Sequence, residues 1–402
     1  MPLYKGEDRM HLTLIHGLII IFTVALVIGM GIYYARNVKS AEGYSVGGRS
    51  AGVPMVAGSI AGTVVGGGAT VGTAQLAYSY GLSAWWFTLG SGIAFMIMGI
   101  FYARRMRGTG LGTIPQFLSL HYGKRAEELS SLISSIGILL STVASCLPGI
   151  EIISNLSGFS PEISALILMG LVIGYTFFGG MKSAGISGMM KMGIIWLSLF
   201  VAGFEAFYML HEASWPSLPP SSFDLFGRGM APSMANLFSI IVGVLCTQTY
   251  IQCIFSASTP VTAAFGCLAA SLIVIPVGLP NVAIGMYMRA FDPDVMPILV
   301  LPSYLINHTG TLVGGLAMGG IILSLISSIG GLSLGIGTMI ARNMVSPVLK
   351  IKDDRKLLIL TKTTVLMVML LSCGIAIMNR GSEVLFWNYL SMALRGGGIF
   401  LP

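Results

Sequence analysis

Residues 58–73 read Gly58-Ser59-Ile60-Ala61-Gly62-Thr63-Val64-Val65-Gly66-Gly67-Gly68-Ala69-Thr70-Val71-Gly72-Thr73. The stretch is apolar enough for a bilayer, yet five of its glycines fall between positions 62 and 72. A glycine inside a helix costs about 1 kcal/mol relative to alanine. Unwound backbone survives in lipid only where it is buried in protein or lines a cavity. We therefore predict a helix that breaks near Gly66–Gly68; close helix packing through small residues is the alternative.

The composition around this stretch is that of an integral membrane protein. Of 402 residues, 54% are apolar and only 9% are charged, and the mean hydropathy is +0.85. A soluble domain carries about 25% charged residues. The sequence has no nucleophile–base pair and no metal-type spacing, so we do not expect an enzyme. The net charge of +7 lies in short loops between apolar spans, which argues against a nucleic-acid partner.

Eleven apolar segments of bilayer length follow one another along the chain. They cover residues 11–34, 51–79, 82–103, 130–154, 162–180, 184–210, 234–256, 261–288, 311–341, 357–379 and 383–402. We predict an all-α integral membrane fold with about eleven transmembrane helices, the first of which precedes a set of ten. The last segment stops without a polar flank, so either the chain is truncated or its last helix is unusually short.

The basic residues predict the orientation. With the N-terminus outside, 16 of the 22 lysines and arginines fall on the inner side and five on the outer side, while Arg395 lies in the last span. Such a bias is typical of cytoplasmic loops. We expect a multi-pass protein of the cell membrane with its N-terminus outside.

A second interrupted span contains Cys246-Thr247-Gln248-Thr249-Tyr250-Ile251-Gln252. Two glutamines and a tyrosine are costly in hydrocarbon unless they face a partner or a cavity. The two interrupted spans are helices 1 and 6 of the set of ten, which is typical of a five-plus-five inverted repeat. The predicted parts are residues 1–50 (tail, leading helix and first loop), 51–211 (first repeat) and 212–402 (second repeat).

Two further groups of polar residues lie in or near apolar spans. Ser324, Ser327 and Ser328 share one face of a helix, although serines in helices also bond to their own backbone carbonyls. Glu151 follows a Pro-Gly pair, and it either contacts a solute or reaches the outer interface. The candidate substrate-binding residues are Gly66, Gly67, Gly68, Gln75, Gln248 and Gln252.

Residues 175–183, Tyr175-Thr176-Phe177-Phe178-Gly179-Gly180-Met181-Lys182-Ser183, resemble the signature of the sodium/solute symporter family. Residues 77–81, residues 113–117 and the Gln248/Gln252 pair also resemble landmarks of that family, in the expected order. The resemblance implies a leucine-transporter-type fold that works by alternating access. It also implies a sodium site between core helices 1 and 8, made by the carbonyls of Gly62, Val65 and Ser324 and the hydroxyls of Ser327 and Ser328.

The sequence departs from the family pattern after the signature. Where the family has a threonine-aspartate pair and then a glutamine, this chain has Ser187, Gly188 and Lys191. Lys191 is the candidate coupling residue. Its ammonium either reaches the inner interface or points at the sodium site as a tethered cation or proton-titrating group. We favour the interface, because the serines of the sodium site are intact.

The glycine run also resembles the choline-transporter branch of the family. That branch has a tryptophan two residues before the first of these glycines, where this chain has Val64. A cation–π contact to a quaternary ammonium is weakened without the tryptophan, so choline is not the predicted solute.

The function that we predict is sodium-coupled uptake of a small polar organic solute by a secondary active transporter. One alternative is a sodium-independent or proton-coupled carrier that uses Lys191. Another is a membrane sensor module of the same fold. The sequence does not indicate an oligomeric state.

Overall fold

The structure is a computed structural model that describes residues 12–35, 40–176, 180–213, 218–351 and 353–400. This part of the chain is almost entirely helical. Its extended pairing is limited to an isolated bridge between Ala51 and Ala257.

Ten helices make up the first half of the described chain. They are α1 (Leu14–Ala35), α2 (Ala41–Val46), α3 (Val53–Val64), α4 (Thr73–Tyr80), α5 (Trp86–Ile97), α6 (Ala103–Gly108), α7 (Ile114–Tyr122), α8 (Lys124–Ser157), α9 (Pro161–Thr176) and α10 (Gly180–Glu212). Short 3₁₀ or π turns extend some of them, at Gly47–Arg49, Gly68–Gly72, Gly81–Trp85 and Met98–Tyr102.

Eight helices make up the second half. They are α11 (Met230–Leu245), α12 (Gln248–Ser256), α13 (Pro260–Phe291), α14 (Val300–Asn307), α15 (Thr311–Met339), α16 (Ser346–Leu349), α17 (Asp354–Met378) and α18 (Val384–Phe400). The short turns here are Pro220–Phe223, Pro297–Leu299 and Ile340–Val345.

Every predicted apolar segment coincides with one or two of these helices, which confirms the all-α membrane fold. Within the described residues, seven helical stretches are long and apolar enough to cross a membrane, or eight if α11 and α12 count as one bent span. The predicted total of eleven spans, and the division at residues 50 and 211, stay predictions.

Both predicted helix breaks are present. The first follows α3, where Val65 has φ −78° and ψ 73° and the chain resumes as a π turn from Gly68. The second separates α11 from α12, whose axes differ by 42°. Thr247, between them, has an extended backbone with ψ 114°. The low helix propensity of glycine predicted the first break correctly, and the buried polar residues predicted the second.

Helix α3 lies against α10, α13 and α15, and glycines bring its backbone closest to α10. A Cβ on Gly62 would lie 2.8 Å from the Cα of Gly188, and a Cβ on Gly188 would collide with the carbonyl of Gly58. Larger residues would force the two helices apart. This contact fixes which face of α10 looks towards the first break.

Candidate cation site and central cavity

Lys191 lies at the contact between α10 and the end of α3. It follows Gly188 by three residues, so it lies on the face of α10 that contacts α3. Val65 follows Gly62 by three residues in the same way, at the end of α3. The side chain of Lys191 is 1% exposed. The glycine contact therefore directs a lysine into the protein interior beside unwound backbone.

The ammonium of Lys191 donates three hydrogen bonds. The acceptors are the carbonyl of Gly62, the carbonyl of Val65 at 2.9 Å and the hydroxyl of Ser327 at 2.6 Å. An ammonium has three donors, so its hydrogen-bonding capacity is filled. Among the described residues no carboxylate forms an ion pair with it.

The interpretation that Lys191 reaches the inner interface is wrong. The intact serines favoured that interpretation, because they suggested that the cation site is free for sodium. The structure instead shows the ammonium bonded to three of the five predicted sodium ligands. Sequence alone does not show the rotation of α10, which depends on its glycine contact with α3.

The five predicted sodium ligands are only partly brought together. Gly62, Val65 and Ser327 surround the ammonium, and the hydroxyl of Ser327 also lies 3.2 Å from the carbonyl of Ser324. Ser328 differs from the others, because its hydroxyl donates to the carbonyl of Thr63. Four ligands thus form one cluster, while Ser328 links α15 to α3 beside it.

The predicted substrate residues Gly66, Gly67 and Gly68 line a cavity next to this cluster, which we call the central cavity. Its empty volume is about 270 Å³, and Ser141, Ser328 and Asn388 are among the polar residues of its wall. A Cβ on Gly68 would lie 2.8 Å from the amide nitrogen of Asn388. The glycines are required because α15 and α18 approach the unwound backbone so closely.

The three glutamines do not join this cavity. Gln75 accepts a hydrogen bond from the backbone of Val384 at 3.0 Å and lines a separate pocket with an empty volume of about 810 Å³. Gln248 binds the backbone of Ile114 and Gly112 at 2.9 and 3.1 Å. Gln252 donates to the carbonyl of Ser45 and to the hydroxyl of Thr338. Each glutamine has a partner, as expected for buried polar groups, but two of the three hold connecting segments in place.

Two buried charged residues, Glu151 and Arg395, have partners that the sequence does not show. Glu151, 3% exposed, forms a two-bond ion pair with Arg380 at 2.7 and 3.2 Å. Arg395 is fully buried and donates to Thr247, at the second break, and to Ser141 in the cavity wall. An arginine within an apolar span is a functional candidate by default, so this signal was present in the sequence.

The signature segment is described only in part. Residues 177–179 lie outside the described residues. Of the remainder, Tyr175 is buried, and the carbonyl of Thr176 accepts a hydrogen bond from Tyr44 at 3.1 Å. The segment therefore contacts α2 near its beginning.

Helices of bilayer length, two broken spans and a buried cation in a cluster of oxygens define a polytopic membrane protein. The profile described as "Sodium:solute symporter family" matches residues 44–400. The chain belongs to this family.

Several relatives are similar over most of this chain. The human protein named "High affinity choline transporter 1" is 25% identical over 365 residues, covering 82% of this chain and 62% of the relative. A protein of Staphylococcus aureus named "Sodium/proline symporter" is 25% identical over 332 residues, covering 77% of this chain and 63% of the relative. The chain thus spans a little over three fifths of the length of these relatives.

A solved structure is similar in fold. It is titled as the substrate-bound outward-open state of a Na⁺-coupled sialic acid symporter, and the TM-score is 0.77 at 17% identity. The alignment covers 97% of this chain and 87% of the other. At this identity the likeness shows the fold alone.

Proposed function

We propose that this protein is a secondary active transporter that takes up a small polar organic solute by alternating access, coupled to sodium. The observation that carries the proposal is the cluster of oxygens between the first helix break and α15. It includes the carbonyls of Gly62 and Val65, which the break in the helix leaves without a backbone hydrogen bond within the described residues, and the hydroxyl of Ser327. Membership of the family, and relatives named for sodium symport, support sodium as the coupling ion.

The cluster suits this mechanism because it joins two elements that must move relative to each other. A cation bound to the carbonyls of α3 and a hydroxyl of α15 stabilises the conformation that brings those helices together. A solute in the adjacent central cavity would then favour closure around it. One sodium ion moving with the membrane potential contributes about 2.3 kcal/mol per 100 mV.

Lys191 and a sodium ion would compete for the same oxygens. Its ammonium lies where the sodium ion would be, so the two cations exclude each other from the cluster. Sodium binds there only after the lysine side chain has moved away. Sodium entry and displacement of Lys191 are then one event, which ties ion binding to a movement of α10 against α3.

A second candidate is a sodium-independent carrier in which the ammonium of Lys191 permanently replaces the ion. The three filled hydrogen bonds of Lys191 favour it. In this case Lys191 holds α3, α10 and α15 together through the transport cycle, and the solute gradient or another ion supplies the driving force.

The solute is not choline in this proposal, although a relative is named for choline. Val64 lies in the wall of the central cavity where the choline-transporter branch has a tryptophan, although Phe87 and Tyr250 also line it. The nearest buried charges, those of Lys191 and Arg395, are positive. We also propose a location in the cell membrane with the N-terminus outside, which the distribution of lysine and arginine supports.

The carrier class is testable with purified protein. A thermal-shift screen across organic acids, amino acids, sugars and vitamins, with and without sodium, finds the solute. Counterflow in proteoliposomes then tests the mechanism: vesicles loaded with unlabelled solute should transiently accumulate labelled solute above its external concentration. A channel or a sensor gives no such overshoot, and its absence for every stabilising solute contradicts the proposal.

A further inference from the structure

Arg395 is a buried charge without a described counter-ion. Its side chain is 0% exposed. Its hydrogen bonds go to neutral oxygens, among them the carbonyl of Ser391 at 3.2 Å, the hydroxyl of Thr247 at 2.7 Å and the hydroxyl of Ser141 at 2.9 Å. Ion pairs among the described residues involve Arg49, Arg228 and Arg380 but not Arg395.

The position of Arg395 is deep in the span. It lies 11 residues after the start of α18, which is about 16 Å at the helical rise and near half of the ~30 Å hydrocarbon thickness. A Cβ on Gly137 of α8 would lie 2.8 Å from the Cγ of Arg395. The chain thus has a glycine where α8 must make room for the arginine stem.

Arg395 lies directly behind the wall of the central cavity. Ser141 accepts from the guanidinium and donates to the amide oxygen of Asn388 at 3.0 Å, and both residues line the cavity. Elsewhere in the wall, Ser328 lines the cavity while its neighbour Ser327 accepts a hydrogen bond from Lys191. The cavity is therefore flanked by two buried cations, with no carboxylate among its described lining residues.

Hydrogen bonding alone does not account for an arginine at this position. The hydrogen bonds to Thr247 and Ser141 tie α18 to the second helix break and to α8, but they go to neutral oxygens and leave the cost of burying the charge. Such charges inside a membrane are expensive and mark sites of ion or substrate passage. An anion in the cavity would offset the charge.

We propose that the transported solute is a small organic anion whose carboxylate binds in the central cavity on the side of Arg395. This inference rests on the proposed carrier function and names its solute class. A carboxylate in the place of the Asn388 amide oxygen would accept the proton of Ser141, one hydrogen bond from the guanidinium. The cavity is too narrow in this conformation to hold such a solute, so binding accompanies the opening of the cavity.

The test compares matched pairs of solutes on the full chain in lipid nanodiscs. Acetate, propionate, lactate and pyruvate are each paired with the corresponding primary amide, and choline and glucose serve as cationic and neutral references. At constant ionic strength we expect at least one carboxylate to raise the melting temperature while its amide does not. Stabilisation by amides or by choline equal to that by carboxylates overturns the inference.

Variants separate a charge role from a structural one. Arg395→Gln removes the charge but leaves a polar side chain at the position, so carboxylate binding should weaken about tenfold or more. Arg395→Lys retains the charge, and it should keep a preference for the carboxylate over the amide. An unchanged carboxylate affinity in Arg395→Gln contradicts the inference. If that variant does not fold, the carboxylate–amide comparison in the wild type and in Arg395→Lys decides.

The outcome is distinguishable from failure of the carrier proposal. A carboxylate that binds through Arg395 but shows no counterflow refutes the carrier and leaves the anion site. A neutral solute that shows counterflow without any carboxylate preference supports the carrier and refutes the anion site.

Discussion

Replacement of Lys191 by alanine should turn an occupied cation cluster into an open one. The variant removes the ammonium but keeps the carbonyls of Gly62 and Val65 and the hydroxyl of Ser327. These oxygens are then free to bind a small cation. We expect sodium to bind Lys191→Ala much more tightly than it binds the wild type.

The size of the effect follows from charge repulsion in a buried site. Two unit charges about 3 Å apart, at an effective dielectric constant of 20, repel by roughly 5 kcal/mol. If the lysine moves until the charges are about 6 Å apart, roughly 3 kcal/mol remains, which is about a hundredfold in affinity. The sodium concentration that gives half-maximal stabilisation should fall by about this factor.

The assay is thermal unfolding in nanodiscs, with NaCl replacing KCl at constant ionic strength so that screening does not change. A variant saturated at 100 times its Kd gains about 2.7 kcal/mol of stability from the ion. Lys191→Arg retains the charge and should respond like the wild type. Lys182→Ala, which removes an exposed lysine of the same helix, is the matched control. Equal sodium midpoints in the wild type and Lys191→Ala would refute the competition between the two cations.

Three further substitutions test the geometry of the site. Ser327→Ala combined with Ser328→Ala should abolish sodium-dependent stabilisation in a folded protein, whereas Ser324→Ala should not, because only the carbonyl of Ser324 belongs to the cluster; a sodium response that survives the double substitution, measured by the same melting assay, removes these ligands from the site. Gly66→Ala should lower the yield of folded protein by collision with Ser328, and Ser328→Gly should partly restore it; Gly17→Ala, with nothing within 4 Å of the added Cβ, is the neutral control in size-exclusion assays, and a normal yield of Gly66→Ala refutes the close approach. Arg380→Met should lower the melting temperature more than Glu151→Gln does, because Arg380→Met leaves the buried carboxylate of Glu151 unpaired. Glu151→Gln should lower the stability by about 1–3 kcal/mol. The reverse order would show that Glu151 has another partner.

The helix breaks could be predicted from sequence because their causes are local. The glycine run from Gly66 to Gly68 weakens a helix wherever that helix lies, and Gln248 needs a partner in any apolar span. The identity of that partner depends on the fold, so the sequence did not separate a glutamine that holds a connecting segment from one that faces a solute.

The direction of Lys191 could not be predicted because its cause is tertiary. It depends on the rotation of α10, which the approach of Gly188 to Gly58 and Gly62 determines. Gly188 is a departure from the family pattern, but its role as a contact residue is visible only with α3 beside it. Arg395 could have been predicted as a functional residue from sequence, since a charge within an apolar span is costly unless it has a function.

Sodium coupling itself is tested most directly by uptake of the identified solute into proteoliposomes that contain the wild-type protein. The initial rate is measured with an inward sodium gradient and with an equal potassium gradient, at the same membrane potential. The sodium-coupled account predicts a rate that rises with external sodium and accumulation of solute above equilibrium only in sodium. Equal rates and no accumulation in either salt would contradict it and select the carrier in which Lys191 permanently replaces the ion.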